Sequence, residues 1–298
     1  MKTLLIHNLE TATAEKIALE LNGEIEYKKS HFRIHTKKSF DMKSYRLLCD
    51  FDLNIFDNNF DYQNIRLMVS DMDSTLITVE TIDEVAKEVG LTGEISSITE
   101  RAMQGDLDFT ESFVKRVSLL EGISSSSLES VYSKKVKLSP GAKNLINHFK
   151  SNQVKTVMVS GGLNFFAKKL QAELEIEKYR ANNVEIIYGL MTGNVLGKVI
   201  DAKEKALYIK ELCEEFKLKN DQVVAIGDGA NDIKMLARAG LGIAFNAKPI
   251  VQRQAQASIN THDLKLILYF LGINRDDLQE LNELVGKSVT QSWPKKEK

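Results

Sequence analysis

Four short runs rich in apolar and β-branched residues constrain this chain most: "IRLMVSD" (65–71), "VKTVMVSGG" (154–162), "VVAIGDGAND" (223–232) and "LGIAF" (241–245). Their apolar stretches are nearly continuous rather than alternating, which is the pattern of a strand buried on both faces. Strands of that kind belong to a parallel sheet covered by helices, and helical stretches separate the later runs. Each run ends at or close to a polar or Gly-rich corner. Open parallel sheets bind ligands beyond the carboxyl ends of their strands, so the chemistry is expected at those corners.

Roughly eighty residues separate the first run from the second, far more than a crossover helix needs. They read as helices: "ETIDEVAKEVG", "EISSITERAMQG", "DFTESFVKRVSLLEG" and "SLESVYSKKV". The insertion, at about 79–137, predicts a helical cap over the active edge of the sheet. "SPGAKNLINHFKSN" (139–152) then returns the chain as a crossover helix. Residues 1–62 have a different rhythm. "TLLIH", "GEIEYKK", "HFRIHTK" and "DLNIF" read as strands, and "TAEKIALELN" and "DMKSYRLLCDF" as helices. That βαββαβ order is ferredoxin-like and resembles small ligand-sensing modules of the ACT type. "DNNFDYQN" (57–64) reads as a linker. The stretch from residue 272 to 298 reads as an amphipathic helix and a basic tail, with Trp293 as a packing anchor. The expected fold is α/β: a doubly wound, Rossmann-like parallel sheet over 65–271, a helical cap after its first strand, and a small N-terminal α+β domain.

A length of 298 residues suits two folded units, and 43% hydrophobic with 27% charged residues is ordinary for a globular protein. The net charge of −1 supplies no basic field for nucleic acid or an anionic membrane. "MKTLLIHNLE" does not read as a signal peptide, and no apolar run approaches the roughly 18 residues that span a bilayer. Cys49 and Cys213 lack metal-ligand spacing, and Cys213 lies on the apolar stripe of "ALYIKELCEEF". Both read as core residues of a cytoplasmic protein, without a structural disulfide.

The corners carry matched equipment. Asp71 and Asp73 stand one residue apart at a strand end, where i and i+2 share a direction. Two carboxylates in one pocket repel each other, and a divalent cation with oxygen ligands relieves that repulsion. One can then act as nucleophile and the other as proton donor and acceptor; a pair of exposed turn aspartates is the plain alternative. Ser160, Gly161 and Gly162 offer a hydroxyl and approachable N–H groups, which suit phosphate oxygens and equally suit a turn. Asp228 and Asp232 flank Gly229 at a corner able to hold a hard cation such as Mg²⁺ or simply to cap a helix. Lys203 and Lys205 lie at a helix start, where the dipole disfavours lysine and an anionic partner would compensate it.

In this order, D-x-D-S-T, S-G-G, a lysine and G-D-G-x-N-D resemble the haloacid dehalogenase-like phosphohydrolases over about 65–271. The resemblance implies Asp71 as the nucleophile that becomes an aspartyl-phosphate. It implies Asp73 as the acid that protonates the leaving alcohol and then activates water. Mg²⁺ would be held by Asp71, the Asp73 carbonyl and Asp228, with Asp232 supporting its waters. Ser160 would bind phosphoryl oxygens. Lys205 would neutralise charge; it is preferred to Lys203 because "DAKEKA" aligns its second lysine with that of the family.

The cap sequence narrows the resemblance to the phosphoserine phosphatase family. "DSTLITVETIDEVAKEVG", "ITERAMQGDLDFTESFVKRVSLLEG", "SGGLNFFAKKL" and "GDGANDIKMLARAGLGIAFNAKP" occur in its order. Carried over, Glu80 would bind the substrate ammonium and Arg116 its carboxylate. Met103 and Phe109 would wall the small side chain, and Asn231 with the Gly161–Gly162 backbone would face the phosphate. Such a pocket opposes each charge of O-phosphoserine with its counter-charge. Taken singly, Glu80 and Arg116 could be solvated surface, and Met103 and Phe109 core.

Two other readings stay open. A related phosphatase or a phosphotransferase delivering to an alcohol such as homoserine shares these motifs. A non-catalytic Mg²⁺- and phosphate-sensing protein would keep the acidic pocket, but would leave Asp73 without a purpose. The small-molecule partner expected is O-phospho-L-serine. Residues 1–62 stand outside the resemblance, with amino-acid sensing, homodimerisation and simple packing all open to them.

Overall fold

The computed structural model describes residues 2–7, 11–27, 31–39, 52–56, 64–104, 107–260 and 263–270. The expected helix over 41–51, most of the linker, Cys49, and the 272–298 segment with Trp293 lie outside the described residues.

The larger body is a seven-stranded sheet. Its strands are β5 (Leu67–Ser70), β6 (Lys155–Leu163), β7 (Lys178–Ile187), β8 (Leu190–Leu196), β9 (Val223–Gly227), β10 (Leu241–Phe245) and β11 (Ala257–Ile259). The order is β11-β10-β9-β5-β6-β7-β8, parallel except for the β7–β8 hairpin. β5, with all four residues buried, pairs with β6 on one side and β9 on the other. Alternate residues feed opposite faces. Leu67 and Val69 pack with Tyr208, Ile209, Leu212 and Cys213 of α8 (Ala202–Phe216). Met68 packs in the other layer with Leu145, Ile146 and Phe149 of α6 (Ala142–Ser151) and Phe166 and Leu170 of α7 (Asn164–Leu174). Cys213 is thus a buried free thiol, as its stripe suggests.

The four runs found in the sequence are β5, β6, β9 and β10. The sequence reading missed β7, β8 and β11. β7 and β8 form a half-exposed edge hairpin whose polar positions break the buried pattern, and β11 is three residues long.

Past β5 the chain makes a π-type turn (Met72–Leu76), with Ser74 at φ +53°, and leaves the body. Four helices follow: α2 (Thr81–Val89), α3 (Thr92–Gln104), α4 (Phe109–Ser118) and α5 (Ser125–Lys135). α2 stops at Gly90, whose φ of +79° provides a left-handed C-cap. α4 starts in a capping box, Asp108 accepting from the Glu111 N–H while the Glu111 side chain accepts from the Asp108 N–H. Exit and return run side by side: Ile77 bridges Leu138, Thr78 N donates to Lys137 O (3.0 Å) and Ser139 N to Leu76 O (2.8 Å).

The N-terminal unit is a four-stranded antiparallel sheet of β1 (Lys2–His7), β2 (Glu24–Tyr27), β3 (His31–Thr36) and β4 (Leu53–Phe56) in the order β2-β3-β1-β4, with α1 (Thr11–Glu20) packed on it. Leu4 and Ile6 face α1 residues Ile17 and Ala18, while Leu5 joins the core of the larger body. β4 lies against β11 through side chains. Asn54 donates through Nδ2 to Ser258 O (2.8 Å) and accepts through Oδ1 from Ser258 N (2.7 Å); Asn260 N donates to Asp52 (2.7 Å).

Asn54→Ala removes both of those bonds and leaves a buried backbone N–H and C=O on β11 without partners. A stability loss of roughly 1–3 kcal/mol is expected in urea unfolding, together with faster amide hydrogen exchange at residues 257–260. An unchanged urea midpoint would show that Asn54 does not hold the two sheets together.

Candidate active site

The carboxyl ends of β5, β6 and β9 meet at one buried cluster. Asp71 follows β5 directly. Its Oδ1 accepts from Met72 N (2.7 Å) and its Oδ2 pairs with Lys205 Nζ (2.8 Å). The same ammonium reaches Asp232 Oδ1 at 2.7 Å, and neither Lys205 nor Asp232 is exposed at all. Asp232 Oδ2 accepts from the N–H groups of Asp228 (3.2 Å) and Gly229 (3.0 Å), closing the turn after β9. Asp228 Oδ1 accepts from Thr75 Oγ1 (3.0 Å). Carboxylate oxygens of Asp71, Asp228 and Asp232 lie within 4.8 Å of one another.

Lys205 arrives there because Asp201 N-caps α8, accepting from Lys203 N (2.8 Å) and Glu204 N (2.9 Å). The first turn then carries Lys205 inward, while Lys203 points into solvent. Burial alone would lower the Lys205 pKa, but Asp232 and Asp71 more than offset it, so the net shift is upward. Burial, and after it the charge on Asp232, holds the Asp71 carboxyl well above its ordinary range despite Lys205. Burial and then Asp232 also push Asp228 up to about 7. One lysine therefore does not neutralise the three carboxylates. Their hard oxygen donors fit a divalent cation of the Mg²⁺ type.

Asp73 is not one of these three carboxylates, although the field of Lys205 reaches it as well. The chain has already left the strand, and Asp73 sits in the π-type turn with ψ 139°. The i, i+2 direction rule therefore does not govern the pair, and their mutual repulsion is not the dominant effect. Asp73 accepts from Thr81 N (3.3 Å) and Thr81 Oγ1 (3.2 Å) at the start of α2. Burial and then Glu80 hold its carboxyl well above the ordinary range, with the Thr81 bonds opposing.

The β6 corner supplies the opposite wall. Ser160 is fully buried, and its Oγ accepts from Gly162 N (2.8 Å). A Cβ at Gly162 would collide with Asp73 Oδ2 and come within 3.1 Å of Ser160 Oγ. A Cβ at Gly161 would stand 2.7 Å from Phe109 Cζ and 3.5 Å from Asn231 Nδ2. Phe109 of the cap therefore meets the β6 corner and the half-buried Asn231 at one point, with its ring stacked on Phe113 (6.4 Å).

The cap brings Arg116 and Glu80 to the same side. Burial lowers the Arg116 pKa, against the fields of Asp83, Glu80 and Asp73, and Arg116 Nε donates to Ser112 O (3.4 Å). Glu80 is exposed, makes no cap bond to α2, and accepts from Ser74 Oγ (2.6 Å). Met103 falls within α3, and its side chain lies outside the described residues. Sequence reasoning missed Thr75, Thr81 and Asn182, and gave Asp83 no role. Threonine and asparagine are common everywhere, and only the fold shows that Thr75 and Thr81 bond to site carboxylates.

A family model described as haloacid dehalogenase-like hydrolase matches residues 65–240. The phosphoserine phosphatase of Idiomarina loihiensis is 46% identical over 202 residues, which is 68% of this chain and 91% of that protein. A probable phosphoserine phosphatase from Vibrio cholerae, solved unliganded, superposes with TM-score 0.78 at 31% identity and covers 94% of this chain and 88% of its own. That share is too large to be met without the N-terminal sheet. A phospho-aspartyl intermediate analogue of a phosphoserine phosphatase superposes with TM-score 0.65 at 37% identity, over 69% of this chain and 98% of that one. The chain belongs to the haloacid dehalogenase-like hydrolases, and among them to the phosphoserine phosphatase family. No helix among the described residues is long and apolar enough to cross a membrane.

Without a cation the cluster makes a signed contribution to stability. Asp228 binds a proton in the fold up to about pH 7, whereas an unfolded aspartate has lost it near 4. The folded chain therefore holds more protons across that window, and its stability falls as pH rises from about 4 to about 7. In EDTA, the melting temperature of Asp228→Asn should fall less steeply over this range than that of the wild type. Mg²⁺ should flatten the wild-type slope, because a bound cation favours the ionised carboxylates. Parallel slopes for wild type and variant in EDTA would contradict this assignment.

Proposed function

We propose that the protein is a Mg²⁺-dependent phosphoserine phosphatase that hydrolyses O-phospho-L-serine to L-serine and phosphate, as the last step of serine biosynthesis in the cytoplasm. The observation that carries this reading is the division of labour between the two aspartates. Asp71 is anchored to Lys205 inside the acidic cluster, while Asp73 is bonded to Thr81 and faces the Gly162 backbone. Family membership and the analogue solved for a relative support the same chemistry.

In this reading Asp71 attacks phosphorus, and the bond from phosphorus to the serine oxygen breaks as the aspartyl-phosphate forms. Asp73, whose hold on a proton is strengthened by burial and then by Glu80, gives its proton to the departing serine oxygen. The resulting Asp73 carboxylate then takes a proton from a water that attacks the same phosphorus, which frees Asp71 and phosphate. Lys205 keeps Asp71 oriented and offsets negative charge as it moves between the reacting groups. Ser160, the Gly161–Gly162 backbone and Asn231 receive the phosphoryl oxygens. Arg116 and Glu80 receive the carboxylate and ammonium of the substrate, and Phe109 closes over the short side chain between them.

Asp71, Asp228 and the Asp73 carbonyl would hold Mg²⁺. Asp232, whose two oxygens already serve Lys205 and two N–H groups, suits a supporting place. When bound, the ion supplies positive charge that lets two negative groups approach each other.

Phosphate release from L-phosphoserine, measured with and without Mg²⁺ beside other phosphomonoesters, tests the reading. Mg²⁺-dependent preference for phosphoserine is expected, and release from other esters only would overturn the roles of Glu80 and Arg116. Asp71→Asn should abolish turnover while leaving the circular dichroism spectrum and melting temperature near wild type. Arg116→Ala should raise KM for phosphoserine by on the order of 100-fold, and much less for O-phosphoethanolamine, which lacks the carboxylate. Equal effects on both esters would remove Arg116 from the pocket.

A further inference from the structure

The β6 corner poses a backbone problem. β6 pairs with β7 in register from Val157 to Val159, and the register then shifts before Leu163 meets Asn182. Ser160, Gly161 and Gly162 lie in the gap and leave the ladder. A strand that leaves its ladder at a buried place must satisfy the freed carbonyls in another way. The Gly161 carbonyl is satisfied by a side chain: Asn182 Nδ2 donates to it at 2.8 Å.

The other end of the same amide is also committed. Asn182 Oδ1 accepts from Ile200 N at 2.7 Å. Ile200 directly precedes Asp201, the residue that N-caps α8 and whose carbonyl accepts from Lys205 N (2.9 Å). Asn182 is 1% exposed. One buried amide therefore spans the two segments that deliver Ser160 and Lys205. A buried amide with both ends bonded resists displacement, because breaking either bond strands a polar group.

We infer that Asn182 is a positioning residue for phosphoryl transfer: it locks the Ser160–Gly162 corner to the start of α8, so that this corner and the Lys205 ammonium hold a fixed mutual geometry. The inference rests on the proposed phosphatase reading, because it assigns the corner to phosphate. It places Asn182 outside substrate contact and assigns it no part in recognition of the amino-acid end, which the cap supplies.

The test uses the full-length protein with Mg²⁺ and three measurements on wild type, Asn182→Asp and Asn182→Ala. Asn182→Asp keeps the shape and the acceptor for Ile200 N but replaces the donor to Gly161 O with a second oxygen. Asn182→Ala removes both bonds without adding charge, which guards against a folding failure peculiar to a buried carboxylate. Melting temperature identifies the folded variants. Steady-state kinetics should show kcat reduced on the order of 100-fold in either folded variant, as expected for a misplaced catalytic frame. Calorimetric titration should show affinity for inorganic phosphate reduced about 10-fold or more, with affinity for L-serine within about 2-fold of wild type.

A merely structural residue would weaken phosphate and L-serine together, or would lower kcat only in proportion to the unfolded fraction; either result overturns the inference. Wild-type kcat and phosphate affinity in both variants would do the same. Failure of the underlying function reads differently: the wild type itself would then release no phosphate from phosphoserine. The phosphate titration needs no turnover and still decides the role of Asn182 in that case.

Discussion

One ammonium group holds the site together. Lys205 Nζ lies between Asp71, which follows β5, and Asp232, which follows β9, with no exposure to water. A buried charge of this kind is tolerated only where partners surround it. Both neighbouring strand ends must therefore present carboxylates at the same height, and α8 must start where its first turn reaches them. The Asp201 cap sets that start, and Tyr208, Ile209 and Leu212 fix the helix against the sheet below. The cluster still carries more carboxylate than ammonium. Asp71 and Asp228 keep raised pKa values even with Lys205 in place, so the polypeptide alone leaves room for one more cation.

The second constraint is close approach. Gly162 has no space for a side chain because Asp73 Oδ2 fills it, and Gly161 has none because Phe109 does. The cap and the sheet thus touch through backbone rather than across a gap filled by side chains. Besides the contacts of α5 with α7 (Glu129–Lys169 and Tyr132–Glu173), backbone bonds hold the cap at two places that do not depend on that touch. The paired exit and return at Ile77 and Leu138 form one. The loop after α4 forms the other: Gly122 N donates to Met191 O and Met191 N to Ile123 O, both at 2.8 Å, on the β7–β8 hairpin. Glu80 stands near the first anchor and Arg116 in the last turn of the helix that leads to the second. The two charges proposed to select the substrate therefore sit near the fixed ends of the cap.

Much of this was legible in the sequence. Near-continuous apolar runs gave β5, β6, β9 and β10, and helical periodicity gave the four cap helices, because both patterns come directly from burial. Asp71, Asp228 and Asp232 could be assigned to one place because strand ends in a parallel sheet point to one edge, whereas Lys205 joined them only through the family resemblance. Other features follow from contacts that local sequence does not encode. β8 is an edge strand with Leu190 and Leu196 exposed, so its apolar residues report no buried face. The bonding of Asp73 to Thr81 depends on a π-type turn to which the strand alternation does not apply. Thr75, Thr81 and Asn182 are legible only as bonds, since their residue types carry no signal of their own.

The two edges of the catalytic sheet are finished by different means, and the difference bears on how the N-terminal unit is attached. An open parallel edge is a template for unwanted strand pairing. At one side the chain folds an antiparallel hairpin onto the sheet, and the cap loop pairs with that hairpin. At the other side, β4 of the N-terminal sheet approaches β11 but adds no ladder to it. The Asn54 side chain instead answers the outward N–H and C=O of Ser258, and Asp52 answers Asn260 N. One side-chain amide and one carboxylate bond to that edge without merging the two sheets into one. The N-terminal sheet keeps its own antiparallel order and its own small core while still fixing its register on β11. The attachment is directional and polar, with the apolar contribution of Leu5 behind it, so it blocks the edge with a small and specific set of contacts.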